Sequence, residues 1–132
     1  MKKILVIDDE EWLREMMLLA LRQRGFEVLE AENGEKGIEV ARKEIPDLIL
    51  CDVNMVKVNG LELKKRIFDD EVLRLKCVPF IFMSTGRASS EVMKAYSYGV
   101  QGYFVKPTSF GKLKEMLQHI IWYWRDSQRP NV

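Results

Sequence analysis

Four apolar runs in this chain of 132 residues end in polar groups that could act together on an anionic substrate. "ILVI" leads into Asp8, Asp9 and Glu10; "LILC" into Asp52; "FIFM" into Ser84, Thr85 and Gly86; "GYFV" into Lys106 and Pro107. Carboxylates gathered in one cleft repel each other, and a pair about 4 Å apart costs about 4 kcal/mol at an effective dielectric of about 20. A cleft holding Asp8, Asp9 and Asp52 therefore needs positive charge. One divalent cation together with the Lys106 ammonium cancels the three negative charges. An oxygen-only site with few protein ligands suits Mg²⁺, which keeps several waters and shares its shell with phosphoryl oxygens. Asp52 is then the carboxylate left to react, and carboxylates do attack phosphoryl groups to form covalent intermediates. The Ser84 hydroxyl and the Lys106 ammonium are suitable donors to phosphoryl oxygens, since such transfer depends on positioning and charge neutralisation.

Taken singly, none of these residues means much. An Asp at a strand end usually closes a turn, an acid before a helix favours the helix dipole, and Lys-Pro after a strand is a turn. The weight lies in their joint placement at strand ends. Runs of β type at 3–8, 26–31, 47–52, 79–84 and 101–105 alternate with helical patterns, which predicts a doubly wound α/β fold with a five-stranded parallel sheet and five helices. In "EEWLREMMLLALRQRG" the residues Leu13, Met16, Met17, Ala20 and Leu21 recur at helical spacing, and Gly25 supplies the stop. "GEKGIEVARKEI", "GLELKKRIFDDEVL" and "SSEVMKAYSYG" each read as one further helix, and "SFGKLKEMLQHIIWYW" as the last. Ligands of such folds sit beyond the carboxyl ends of the strands, the edge where all these polar groups would meet.

Composition narrows the function by exclusion. Twenty-one Lys and Arg against 20 Asp and Glu leave a formal charge of +1, so no overall field draws the protein to nucleic acid or to a membrane surface. The N-terminus has only four apolar residues before its acids, too few for a signal-peptide core, and no later stretch approaches a membrane span. A cytoplasmic location is expected. Cys51 and Cys77 fit neither a metal spacing nor a disulfide framework, and both read as packing residues. One domain over 1–125 and a tail over 126–132 are expected. On the last helix, Phe110, Leu113, Met116, Leu117, Ile120 and Trp124 form the buried stripe, His119 reads as a surface residue, and Trp122 points about 180° from the stripe.

The combination "ILVIDDEEWLR", "PDLILCDVNM", "FIFMSTG" and "GYFVKP" resembles the receiver domains of two-component response regulators, the CheY-like fold, over essentially the whole chain. The resemblance implies the strand order 2-1-3-4-5 and an Asp52 that accepts a phosphoryl group from a phosphohistidine on a sensor histidine kinase or a histidine phosphotransfer protein, and the short tail after the last helix makes a stand-alone receiver the expectation. It implies Mg²⁺ held by Asp9, Asp52 and the backbone carbonyl of Asn54, with Asp8 acting mainly through water. Lys106 would contact the phosphoryl group, Ser84 would swing toward it, Tyr103 would follow inward as the aromatic switch, and the Lys106-Pro107 bond would be cis. The face built from the fourth helix, fifth strand and fifth helix, including Trp122 with Tyr123, would dock an unknown output protein or form a homodimer.

The chain departs from the family pattern at Val56, where Pro is usual, at Thr85, where a smaller residue is usual, and at Gly86, which offers no side chain to gate water. Other readings are a receiver fragment of a longer regulator, an aspartyl-phosphate phosphatase and a flavodoxin-like binding module. Asn54 stands where such a phosphatase wants a second acid, and "DDEEW" would repel the phosphate that a flavodoxin-like loop cradles.

Overall fold

The computed structural model describes residues 2–53, 55, 59–85 and 89–128. Five strands, β1 (Lys3–Ile7), β2 (Glu27–Ala31), β3 (Leu48–Asp52), β4 (Phe80–Ser84) and β5 (Gly102–Val105), form one parallel sheet in the order β2-β1-β3-β4-β5. The helices are α1 (Glu11–Arg22), α2 (Gly34–Glu44), α3 (Gly60–Asp69), α4 (Glu71–Leu75), α5 (Ser89–Ser97) and α6 (Phe110–Asp126). Strand boundaries, strand order and layer architecture agree with the expectation from sequence.

Successive side chains of a strand point to opposite faces, and the sequence uses both. Leu5, Ile7, Ile49, Cys51, Phe80 and Phe82 pack under α2, α3, α4 and α5. Ile4, Val6, Leu48, Leu50, Ile81 and Met83 pack under α1 and α6. The central strands β3 and β4 are buried along their whole length, as a parallel sheet covered on both sides requires, whereas edge strand β2 is partly exposed.

Three details correct the sequence reading. The stretch 60–73 is two helices: Asp70 takes an extended conformation (φ −82°, ψ 115°), and its carboxylate accepts from Leu73 N at 3.1 Å, capping α4. Cys51 is buried as expected, but Cys77 is exposed at a turn with φ of +52°. The Lys106-Pro107 bond is trans, since no cis peptide occurs among the described residues. The trans isomer is the intrinsically favoured one, and it still brings the Lys106 ammonium to the carboxylates, so the placement of that side chain does not require a cis bond.

Gly60 opens α3 beneath the end of β3. A Cβ there would stand 2.9 Å from the Asp52 carbonyl oxygen and 3.0 Å from a Phe82 ring carbon, so only glycine lets α3 start this close to the strand.

Candidate functional site

The last rungs of the parallel ladder set the site's backbone. Asp8 N donates to Ala31 O at 3.1 Å, Val53 N to Met83 O at 3.0 Å, and Lys106 N to Ser84 O at 2.8 Å. Asp8, Asp52, Ser84 and Lys106 are thereby fixed where β1, β3, β4 and β5 end, at a common edge of the sheet. Asp8 is held further by its neighbours: Glu10 N donates to Asp8 Oδ1 at 2.9 Å, and Arg14 Nη1 donates to the Asp8 carbonyl at 2.8 Å.

The ammonium of Lys106 lies 3.2 Å from Asp8 Oδ2 and 3.2 Å from Asp52 Oδ2, with its side chain only 8% exposed. Asp8 is 0% exposed and Asp52 4%. Burial pushes the Asp8 carboxyl above the usual carboxylate range, against the lowering pull of the Glu10 amide and Lys106. Burial would lower the Lys106 pKa, but Asp8 and Asp52 together outweigh it and hold the ammonium above its ordinary value. One cation thus serves two buried anions, and Asp9 adds a third carboxylate at the solvent edge.

Asp8, Asp9 and Asp52 each offer an oxygen within 4.8 Å of the others, a group able to hold a metal ion. The donor set fits a hard divalent cation: three carboxylates against one ammonium leave a formal charge of −2. Asp8 Oδ2 is also buried without a hydrogen bond, although the ammonium stands 3.2 Å away as an ionic partner. The two observations agree if the contact is electrostatic but poorly aligned for hydrogen bonding. Such an oxygen has acceptor capacity left, directly or through water. Asn54, whose carbonyl was expected to join the set, lies outside the described residues, as do Val56 and Gly86.

Ser84 is fully buried, and Tyr103 is half-buried, packed against the core under α5 and bordering the groove beyond β5. Both hydroxyls converge on one residue that the sequence reading did not single out. Ser84 Oγ donates to Glu91 Oε1 at 3.0 Å, and the Tyr103 hydroxyl donates to the same oxygen at 2.5 Å. Burial raises the Tyr103 phenol pKa, and the hydrogen bond to Glu91 raises it further. Arg14 was also missed. It sits one turn into α1, next to the loop that carries Asp8, and its bond goes to the Asp8 backbone carbonyl, a contact that no side-chain pattern in the sequence signals. Thr85 is exposed at the rim.

At the far side of β5 a groove of about 430 Å³ runs between α5 and α6, lined by Tyr96, Tyr103, His119, Tyr123 and Trp124 among others. Tyr123 is 66% exposed and Trp122 46%, so both are surface aromatics as expected. Tyr123, not Trp122, lines the groove. Trp122 stands one turn after Gln118, whose side chain accepts from Arg24 at the end of α1, and this places Trp122 toward the α1 side of α6.

Comparison with known proteins gives a consistent picture. The family described as the response regulator receiver domain matches residues 4–118. The chemotaxis protein CheY1 of Helicobacter pylori is 36% identical over 121 residues, covering 90% of this chain and 96% of that protein. The phosphate regulon transcriptional regulatory protein PhoB of Pseudomonas aeruginosa is 33% identical over 120 residues, 91% of this chain but 52% of PhoB. Among solved structures, the phosphorylated cyanobacterial phytochrome response regulator RcpA superposes with a TM-score of 0.86 at 25% identity, covering 98% of both chains.

Proposed function

Because this chain belongs to the response regulator receiver family, we propose that it accepts a phosphoryl group on Asp52 from a phosphohistidine of a sensor kinase or phosphotransfer protein and signals by docking to another protein. The observation that carries the reading is Lys106, whose ammonium bridges the buried carboxylates of Asp8 and Asp52 at 3.2 Å each. An Asp52 oxygen attacks phosphorus while the phosphorus–nitrogen bond breaks and its electron pair returns to the imidazole, leaving an acyl phosphate. Asp9, Asp52 and the Asn54 carbonyl would hold Mg²⁺, with Asp8 mainly through water. Bound there, the ion supplies charge neutralisation at the phosphoryl oxygens. Lys106 neutralises a further oxygen, and the Ser84 hydroxyl moves to donate to another. The protein is a phosphoacceptor that promotes its own phosphorylation and dephosphorylation, acting in the cytoplasm without nucleic acid or membrane. Among the described residues, no helix is long and apolar enough to cross a membrane.

Incubation with Mg²⁺ and acetyl phosphate tests the assignment. A hydroxylamine-labile adduct on Asp52 is expected, and an adduct on another residue, or none, overturns it.

Ion binding has its own readout. Mg²⁺ at about ten times its dissociation constant should stabilise the fold by about 1.4 kcal/mol, read as a rise in melting temperature of about 4 °C. Asp9→Asn should lose most of that rise, because it removes the solvent-side carboxylate. An undiminished rise in Asp9→Asn would place the ion elsewhere.

For docking, the proposed surface is the α5-β5-α6 face, used by an output protein or a second copy of the chain, with Tyr123 as its aromatic anchor; Trp122, expected on the same face, lies on the α1 side of α6 instead. Tyr123→Ala should weaken self-association of the phosphorylated protein in sedimentation, since Tyr123 borders the groove, whereas Trp122→Ala, on the α1 side of α6, should leave it unchanged. Equal sedimentation of all three proteins, with and without phosphorylation, would remove the self-association reading.

A further inference from the structure

Ser84 carries a single hydroxyl proton, so it can donate to one strong acceptor at a time. In this structure Ser84 Oγ donates to Glu91 Oε1, on the first turn of α5, the Tyr103 hydroxyl donates to the same carboxylate oxygen, and the two hydroxyls also meet each other. A hydroxyl bonded to an ionised carboxylate is held about twice as strongly as one bonded to a neutral acceptor, and here the donor is fully buried and the acceptor half-buried. Building on the phosphoacceptor reading above, we propose that Glu91 is a positioning residue that holds Ser84 and Tyr103 in the resting arrangement, so that Ser84 reaches a phosphoryl oxygen only by leaving the Glu91 carboxylate.

Two consequences follow from the placement. Glu91 ties the end of β4 and the middle of β5 to α5 through one oxygen, so release of Ser84 loosens the attachment of α5 to the sheet. A phosphoryl group on Asp52 also adds negative charge to the same end of the sheet, close enough for Asp52 already to act electrostatically on the Tyr103 phenol. That charge repels the Glu91 carboxylate as well as attracting the Ser84 proton, and both effects favour the same exchange of partners.

The test is a double-mutant cycle on binding of Mg²⁺-beryllofluoride, a stable phosphoryl mimic, to Glu91→Gln, Glu91→Ala, Ser84→Ala and the double variants. Removing the carboxylate should tighten beryllofluoride binding on the order of tenfold, and the gain should fall to roughly nothing in the Ser84→Ala background. Equal gains in both backgrounds would show a merely structural role and overturn the proposal. Glu91→Gln keeps a neutral acceptor in place, so the cycle stands if Glu91→Ala folds poorly. A second readout needs no phosphoryl mimic. In unphosphorylated protein carrying 3-fluorotyrosine, the Tyr103 fluorine resonance should move in Glu91→Gln and Glu91→Ala, and an unmoved resonance overturns the proposal. If wild type binds no beryllofluoride and takes no label, the phosphoacceptor reading fails, while the fluorine resonance still decides whether Glu91 holds Tyr103.

Discussion

Asp52→Asn is expected to lower Mg²⁺-dependent phosphorylation to background while the domain stays folded, with stability unchanged or raised. Asparagine keeps the shape of aspartate and removes the nucleophilic oxygen anion, so labelling fails at the chemical step rather than through unfolding. The direction of the stability change follows from charge. Asp8, Asp9 and Asp52 oppose a single ammonium, and the burial of Asp8 already makes its charged form costly. With Asp52 neutral, Lys106 is left to Asp8 alone, and relief of one pKa unit at Asp8 would correspond to about 1.4 kcal/mol. The lost Lys106–Asp52 pair acts in the opposite direction and offsets part of that gain, while Asp8 keeps the ammonium paired. The stabilisation by Mg²⁺ should shrink as well. Labelling with acetyl phosphate and thermal melts in chelator and in Mg²⁺ check all three points. Full Mg²⁺-dependent labelling of Asp52→Asn would remove Asp52 from its role.

The parts of the molecule that could be read in the sequence are those that local chemistry determines. Each apolar run that leads to the site breaks at a charged residue or a serine, so Asp8, Asp52, Ser84 and Lys106 mark their own strand ends within a residue. Parallel topology then forces those ends to one edge, and the convergence needs no knowledge of any contact. What escaped the sequence depends on small energy differences or on packing between elements. At Asp70 the apolar spacing continues through Leu73, while the extended Asp70 backbone ends one helix and its carboxylate caps the next. The isomer at Pro107 turns on about 0.5–1 kcal/mol of intrinsic preference, which tertiary context can set either way. For Trp122 a helical wheel reports that a side chain points outward, but the neighbour it points toward depends on how α6 lies against α1 and β5. Glu91 is the sharpest case. It looks like an ordinary acid in the first turn of a helix, and only the docking of α5 against β4 and β5 brings its carboxylate to two hydroxyls.

Lys106→Ala is expected to retain slow labelling of Asp52 but to disconnect it from the rest of the domain, and to be the more destabilising of the two site substitutions. The loss of the ammonium leaves Asp8 and Asp52 buried without their shared cation. Removing one partner of a buried ion pair typically costs about 3–5 kcal/mol, and Mg²⁺ should recover part of it. The pH dependence has a definite sign. Lys106 has a raised pKa in the fold, so its contribution is fully present below the unfolded lysine pKa and is lost only as pH rises through the folded value. Asp8 also has a raised folded pKa, so its ionised form weakens the fold above that value and the penalty disappears as pH falls through it. The defect of Lys106→Ala should therefore be largest around neutral pH, below the folded lysine pKa, and should narrow as the solution is acidified toward the raised Asp8 pKa. Denaturant melts of wild type and variant in chelator, from pH 7.5 downward, measure the gap. A gap that widens with acid would contradict the charge assignment. For the disconnection, the Tyr103 fluorine resonance is compared before and after phosphorylation in both proteins. Lys106 joins the acceptor to the loop that follows β5, two residues after Phe104 and three after Tyr103, so the phosphorylation-dependent shift should shrink in Lys106→Ala to the part carried by the Ser84–Glu91 exchange. A phosphorylated Lys106→Ala with the full wild-type shift would mean that the new charge reaches Tyr103 by another route, with the Ser84–Glu91 link as the remaining path.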